Sequence, residues 1–197
     1  MATYDKSLTA VHISRDLANY EAARSSFFVL VVSDLDNLVK PNVSSENPNA
    51  NDYISNAKEV LRLNVTKASV PHFSIGTEEY RRGNEVVKFA TVPTWDDGSL
   101  TVDDVVGLDT KSILMAWLYK AYNPHTRKGG RMIDYKKKAQ LIEYTQDYEQ
   151  IRVWNIEGMF ITKIQEDEFD RESTDGRRKL TVSFVFDRAT MDLPEEE

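Results

Sequence analysis

The residues of this sequence best able to do chemistry are three histidines, and their spacing does not fit a catalytic or metal site. His12, His72 and His125 lie far apart in the chain. None belongs to an HExxH pattern, which places two metal ligands on one helix face. The chain has no cysteine, which excludes disulfides, thiolate nucleophiles and thiolate metal sites. We therefore expect no metal and no cofactor.

Acidic residues also occur side by side, at Asp96-Asp97, Asp103-Asp104 and Glu166-Asp167-Glu168. A glycosidase needs two carboxylates that face each other across a cleft, whereas adjacent residues of a strand point to opposite faces. These pairs are more typical of hairpin ends and solvated loops. The sequence also lacks a GxSxG elbow, a Walker loop and a GxGxxG motif. An enzyme is therefore the least favoured class.

The composition is that of one folded domain. Of 197 residues, 41% are hydrophobic and 10% aromatic, which is too apolar for a disordered chain. The net charge of −7 argues against a general nucleic-acid binder. The longest apolar run, Phe27 to Val32, is far shorter than the roughly 20 residues of a membrane span. We expect neither membrane insertion nor a secretory signal.

The hydrophobic pattern predicts many short strands and one helix in the middle of the chain. A buried strand is predicted at Phe27 to Val32 and a half-buried one at Leu61 to Thr66. The helix is capped by Asp109 or Thr110 and ends before Asn123-Pro124. Further strands are predicted at Glu85 to Val92, at Leu100 to Val102, at Lys137 to Gln146, at Ile151 to Ile156 and at Leu180 to Phe186. This predicts a mainly β fold, a β-barrel or sandwich of two packed antiparallel sheets with one flanking α-helix.

Three regions are expected to differ in organisation. Residues 1–25 form an amphipathic N-terminal arm, because their apolar residues fall near helical spacing. Residues 26–190 form the β domain, interrupted at 33–56 by a long polar loop rich in Asn, Ser and Pro. Residues 191–197 form an acidic tail. The arm and the loop resemble segments that become ordered on a partner.

The strands between residues 137 and 156 are apolar on both faces. Ala139 and Leu141 alternate with Ile142 and Tyr144. Such strands need cover on both sides, either inside the same subunit or from a neighbouring one. The basic clusters, of which Lys136-Lys137-Lys138 is one, are better suited to acidic loops on another copy than to nucleic acid.

These strands carry a resemblance to the tail tube proteins of contractile-tailed bacteriophages. The stretch Tyr135 to Tyr144, YKKKAQLIEY, resembles the family's Tyr-Lys-Lys-x-Ala strand opening. Ile151 to Phe160 follows at a familiar spacing, and Lys179 to Arg188 matches the last hairpin. The resemblance covers about residues 57–190.

The resemblance implies a structural virion protein whose copies form homohexameric rings that stack into a hollow tube. Sheath, baseplate and tail-terminator proteins would be its partners. The tube would lie in the virion tail, be assembled in the host bacterial cytoplasm, and conduct DNA without sequence-specific binding. A predominantly acidic lumen would let DNA slide through. The inter-subunit sheet is expected to include Lys137, Ala139, Leu141 and Trp154.

Contacts between rings are expected in the turn region Gly76 to Asn84. Arg81 and Arg82 would meet acidic residues of the next ring. The full set of candidate contact residues is Glu78, Glu79, Arg81, Arg82 and Asn84.

Two other classes stay open at this point. The tube of a secretion or injection system shares the implied fold but delivers proteins instead of DNA. A monomeric β-barrel that binds a small apolar ligand would account for the aromatic content. It would remain a single species in solution.

Overall fold

The computed structural model describes residues 24–35, 38–41, 53–105, 109–166 and 178–193. The predicted arm up to residue 23, the loop residues 36–37 and 42–52, and the tail residues 194–197 lie outside them. The strands are β1 (Phe28–Val32), β2 (Val65–Ala68), β3 (Phe73–Arg82), β4 (Glu85–Trp95), β5 (Gly98–Asp103), β6 (Tyr122–Asn123), β7 (Lys128–Gly129), β8 (Lys137–Tyr144), β9 (Gln150–Glu166), β10 (Lys179–Val185) and β11 (Arg188–Asp192). The helices are α1 (Ala57–Asn64), α2 (Thr110–Ala121) and α3 (Met132–Tyr135).

Seven strands form one antiparallel sheet in the order β1-β8-β9-β10-β5-β2, with β11 also paired to β9. The 17-residue β9 belongs to both halves of this sheet. Its first half pairs with β8 and β11, and its second half pairs with β10. The mainly β, antiparallel prediction is confirmed, and the two predicted sheets are continuous through this one strand.

The change of partners along β9 occurs at Gly158. This residue has φ +71°, a conformation that side chains with a Cβ rarely adopt. A Cβ there would also overlap the carboxylate of Asp187. The Asp187 N–H donates to the Glu157 carbonyl at 2.9 Å, and its carboxylate accepts from Lys136 Nζ at 2.7 Å. Gly158 therefore allows a kink in β9, so that β11 pairs with the part of β9 before the kink and β10 with the part after it.

The core lies between one face of the sheet and helices α1 and α2. Leu180, Val182 and Phe184 of β10 are buried, which confirms the predicted alternation of that strand. Helix α2 begins at the predicted cap, since the Asp109 side chain accepts from the Ser112 N–H at 3.4 Å. Its Trp117 is 1% exposed and donates its ring N–H to the Tyr135 carbonyl at 2.8 Å.

The predicted strand at Leu61 to Thr66 is wrong over its first half, which is helical. Ala57, Val60, Leu61 and Asn64 are the buried residues of α1, and their spacing of three and four residues is that of one helix face. Leu63 is 75% exposed. The apparent alternation of leucines was the end of a helical stripe that begins before it.

The predicted polar loop contributes to the core where it is described. Leu35 and Leu38 are fully buried. The Ile54 N–H donates to the Leu38 carbonyl at 2.7 Å, and Val39 forms an isolated bridge with Tyr53. The two ends of the loop are therefore tied together against the domain.

Replacing Gly98 with alanine should destabilise the fold. A Cβ on Gly98 would overlap the ring of Phe184, which is itself buried. Overpacking of this kind costs about 1–3 kcal/mol, measured as the free energy of unfolding in urea. Gly129→Ala is the matched control, because nothing lies within 4 Å of the added methyl group. Equal stability of the two variants would contradict this packing.

Candidate assembly surfaces

Strands β3 and β4 form a separate two-stranded hairpin that extends from the main sheet. Every residue of β3, and every residue of β4 except Trp95, is exposed. Arg82 pairs with Glu85, which leaves Gly83-Asn84 as a two-residue loop. Gly83 has φ +66°, as the first position of a type II′ turn requires. The turn lies at the end of the expected turn region Gly76 to Asn84.

A chain of aromatic rings joins the base of this hairpin to the core. The rings of Phe73 and Trp95 lie 5.0 Å apart, and those of Trp95 and Phe186 lie 5.5 Å apart. Phe186 in turn lies 6.1 Å from Phe184. These centroid distances are those of favourable aromatic pairs. The hairpin is thus anchored at one end only, and its tip lies away from the core.

The two faces of the hairpin differ in chemistry. On one face Glu79 pairs across the strands with Lys88 at 3.1 Å, and Arg81 lies opposite Val86. On the other face Tyr80 lies opposite Val87, with Phe89 beside them. Tyr80 is 60% exposed and Phe89 57%. The second face, which we call the Tyr80 face, carries apolar side chains that the described part of the subunit leaves more than half exposed.

The predicted inter-ring residues divide between these faces. Glu78 and Arg82 lie on the Tyr80 face, whereas Glu79 and Arg81 lie on the opposite one, because side chains alternate along a strand. Asn84 lies in the turn. The structure brings all five to the distal half of one exposed hairpin, but a flat partner surface can meet Arg81 or Arg82, not both.

The residues predicted for the inter-subunit sheet lie within the main sheet. Ala139 and Leu141 are buried in the core, and Leu141 pairs with Trp154. Lys137 is the first residue of β8 and pairs with Met159. Strand β8 has β1 on one side and β9 on the other, so its backbone is already paired. The inter-subunit role of these four residues stays a prediction.

The opposite face of the same strands is only half covered. Val29 pairs with Ile142, and Ile142 pairs with Val153, and all three are half-buried. A row of polar groups lies beside them: Gln140 donates to Asn155 at 2.8 Å, and Asn155 donates to Asp192 at 2.6 Å. The prediction of strands that are apolar on both faces is confirmed, and we call this second side the outer face.

An ion cluster that the sequence reading missed lies at the start of α2. Glu166 contacts Lys111 at 2.6 Å and also accepts from Arg178, which lies 3.5 Å from Asp104. The hydrogen bond from Lys111 lowers the pKa of Glu166, against the opposing effect of its partial burial, and the charges of Lys111 and Arg178 lower it further. The signal in the sequence was an acidic run, Glu166 to Glu168, and a basic run, Arg177 to Lys179, on either side of residues 169–176.

Neither a metal centre nor a membrane span is found in the part of the chain that the structure describes. No three of its His, Asp or Glu side chains converge as metal ligands. None of the described helices is both long enough and apolar enough to cross a bilayer.

Comparison with protein-family models gives one match over the region just described. The model of the T4-like virus tail tube protein gp19 matches residues 50–177, which is well over half of the chain. The chain belongs to this tail tube family. The resemblance inferred from the strands after Tyr135 is thereby confirmed. No curated protein matches the chain.

Solved structures share the fold of this tail tube protein. One comes from the PVC sheath-tube complex of an extracellular contractile injection system, in the extended state. It is 18% identical, with 94% of this chain and 99% of that chain covered and a TM-score of 0.61. Another is the tube-terminating cap of the anti-feeding prophage, 15% identical, with 88% and 93% covered and a TM-score of 0.61. At these identities the likeness establishes the fold.

Removing the carboxylate of Glu166 should destabilise the tail tube protein in a pH-dependent way. Folding lowers the pKa of Glu166. The ionised carboxylate therefore stabilises the fold above the pKa of the unfolded chain, and this stabilisation is lost as the pH falls through the pKa of the folded protein. Glu166→Gln should therefore lower the free energy of unfolding by about 1 kcal/mol near neutral pH. The difference should shrink as the pH falls below the ordinary pKa of a glutamate, because the folded-state pKa lies below it.

Urea unfolding of the wild type and of Glu166→Gln, near neutral pH and at acidic pH, measures this difference. Glu149→Gln is the control, since Glu149 is exposed and its side chain makes no ion pair within the described residues. A loss of stability that is independent of pH would show that Glu166 acts through packing alone.

Proposed function

We propose that this tail tube protein assembles into stacked hexameric rings that form the inner tube of a contractile bacteriophage tail. Rings and stacking both require surfaces that a free subunit leaves uncovered. The observation that carries the proposal is the β3–β4 hairpin, which is long, exposed on both faces and apolar on one.

An isolated two-stranded hairpin is at best marginally stable in water. Among the described residues this one is held by the aromatic contacts at its base, and none of them covers the Tyr80 face. Covering Tyr80 and Phe89 with another subunit removes their apolar surface from water, which contributes about 1–2 kcal/mol per side chain. The hairpin thus gains its stability in the assembly, at the contact between rings.

The lateral contacts within a ring are proposed to involve strands β8 and β9. The outer face offers Val29, Ile142 and Val153 to a neighbour. Behind it, Ala139, Leu141 and Trp154 hold the strands on the core, and Lys137 marks the start of β8. In this arrangement the predicted sheet residues support the interface from within the subunit and do not form it directly.

The proposed partners follow from the assembly. The structural relatives come from a sheath-tube complex, a tube-terminating cap and a baseplate, which supports the sheath, terminator and baseplate proteins as partners here. The net charge of −7 per subunit favours passage of DNA without adhesion. The tube is proposed to lie in the virion tail after assembly in the host cytoplasm.

A second candidate is the tube of a contractile injection system that delivers protein. It is favoured by the origin of the structural relatives, which are an extracellular injection system and an anti-feeding prophage. The two functions share the subunit contacts and differ in the cargo. They are separated by whether purified particles contain DNA.

Negative-stain electron microscopy of the purified full-length protein, beside size-exclusion chromatography, tests the assembly. We expect six-fold rings or hollow tubes, in a concentration-dependent equilibrium with smaller species. A 22.6 kDa monomer at every concentration, even with a baseplate extract as nucleus, would contradict the proposal and favour the ligand-binding β-barrel.

Charge reversal of the two hairpin arginines should have unequal effects. Arg82→Glu places a negative charge beside Glu85 on the Tyr80 face, whereas Arg81→Glu alters the face that already carries the Glu79–Lys88 pair. We expect Arg82→Glu to abolish tubes and Arg81→Glu to retain them, with both variants folded by circular dichroism. If the double variant assembled normally, the hairpin would not be the ring-to-ring contact.

A further inference from the structure

A surface separate from the outer face has the features of a peptide-binding groove. A cavity of about 440 Å³ lies between the end of α2 and strand β9. It is lined by Leu118, Tyr119, Ala121, Tyr122, Pro124, Phe160, Ile161 and Thr162. This lining is nearly all apolar, so the groove suits aliphatic side chains.

One wall of the groove is an unpaired strand edge. From Phe160 to Glu166, β9 pairs with β10 on one side. On the other side β8 ends opposite Met159, and no described strand takes its place. The free backbone groups of such an edge can add an extended peptide as a further strand.

The surroundings of the groove are strongly basic in an acidic protein. Between residues 119 and 138 the chain has seven Lys or Arg residues and one acidic residue, Asp134. Lys120 lies between two lining residues, Arg127 lies in the turn that follows Pro124, and Lys163 follows Thr162. Within the described residues, no carboxylate forms an ion pair with Arg127 or Lys163. The groove therefore suits a segment with apolar anchors and several negative charges.

The C-terminal segment of the chain has this composition. Residues 191–197 read MDLPEEE, with Met191 and Leu193 as apolar residues and four acidic ones. Met191 is 46% exposed and Leu193 66%. The described residues of their own subunit therefore cover both side chains only in part.

The segment cannot reach the groove of its own subunit. Strand β11 runs along β9 from Glu157 towards Val153, which pairs with Asp192, and so leads away from Phe160. Phe160 lies seven residues from Val153, about 23 Å along the strand. The five residues after Asp192 span at most about 17 Å, and the groove lies at the opposite edge of β9. A contact must therefore be made between subunits.

We propose that the groove between α2 and β9 binds the C-terminal segment Met191–Glu197 of a second copy of this chain. The segment adds to the free edge of β9, Met191 and Leu193 enter the cavity, and the glutamates meet Lys120, Arg127 and Lys163. The contact is heterologous, because groove and segment are different surfaces, and repetition of it closes a ring. The inference deepens the proposed function by naming one lateral contact of the ring.

Binding is tested with a fluorescein-labelled synthetic peptide of residues 188–197 and fluorescence anisotropy. The acceptor is the full-length chain with Glu195→Lys, Glu196→Lys and Glu197→Lys, so that the tails of other copies do not compete. We expect saturable binding that weakens roughly tenfold when Lys120, Arg127 and Lys163 are all changed to Glu. Lys58→Glu, an exposed change on α1, is the control and should leave binding unchanged.

Three outcomes would overturn the proposal: no saturable binding, equal binding by the triple variant, or unchanged binding of a peptide with Met191→Ser and Leu193→Ser. The proposal would also be overturned if a short DNA duplex competed as strongly as the unlabelled peptide. That result would indicate that the basic residues around the groove bind nucleic acid. These measurements use dilute subunits, so they test the groove contact whether or not the wild type forms tubes.

The same charges allow a rescue in the assembly itself. The reversed tail alone and the reversed groove alone should each prevent ring formation in size-exclusion chromatography with light scattering. Both reversals in one chain should restore it, since the pairs are re-formed with opposite sign. Failure of the rescue, with wild-type rings present, would contradict the groove contact and leave the proposed tube function standing.

Discussion

The architecture depends on the continuity of strand β9 across a single glycine. The strand pairs with three others, and its change of partners at Gly158 is possible because that residue adopts φ +71°. The kink lets one strand hold two half-sheets around a common core that also takes in α2. The Asp187 N–H donates to the Glu157 carbonyl and the Asp187 carboxylate accepts from Lys136 Nζ, and these two bonds fix the junction. The outer face and the groove beside α2 both include residues of this strand.

Much of the sheet could be predicted because its signals are local. The alternation at Leu180 to Phe186 and the cap at Asp109 each depend on a few neighbouring residues, and both are confirmed. The strand predicted at Leu61 was wrong because the alternating Leu61 and Leu63 were taken as the period of a strand. The buried residues that begin at Ala57 show the period of a helix instead. The anchoring of the hairpin by Phe186 could not be predicted, because residues so distant in sequence meet only in the folded chain.

The candidate surfaces were predicted in part. A turn region from Gly76 to Asn84 was expected from the sequence, and Arg81 and Arg82 lie on opposite faces because side chains alternate along a strand. Which residues of β4 lie opposite them could not be predicted, because that depends on the register and on the bulge after Ile75. The basic residues after Lys120 were visible in the sequence, whereas the groove beside them needs the approach of α2 to β9. The number of basic residues can be counted in the sequence, but their position beside an apolar groove is set by the tertiary structure.

The three tryptophans of the chain report on three separate parts of the molecule. Trp117 is sealed in the core, Trp154 donates to Glu143 within the sheet, and Trp95 lies at the aromatic base of the hairpin. Indole emission shifts to shorter wavelength as its surroundings lose water, so Trp95 alone senses events at the base of the hairpin. The native chain thus carries an intrinsic optical probe beside the element on which stacking is proposed to depend, while its other two indoles serve as internal references.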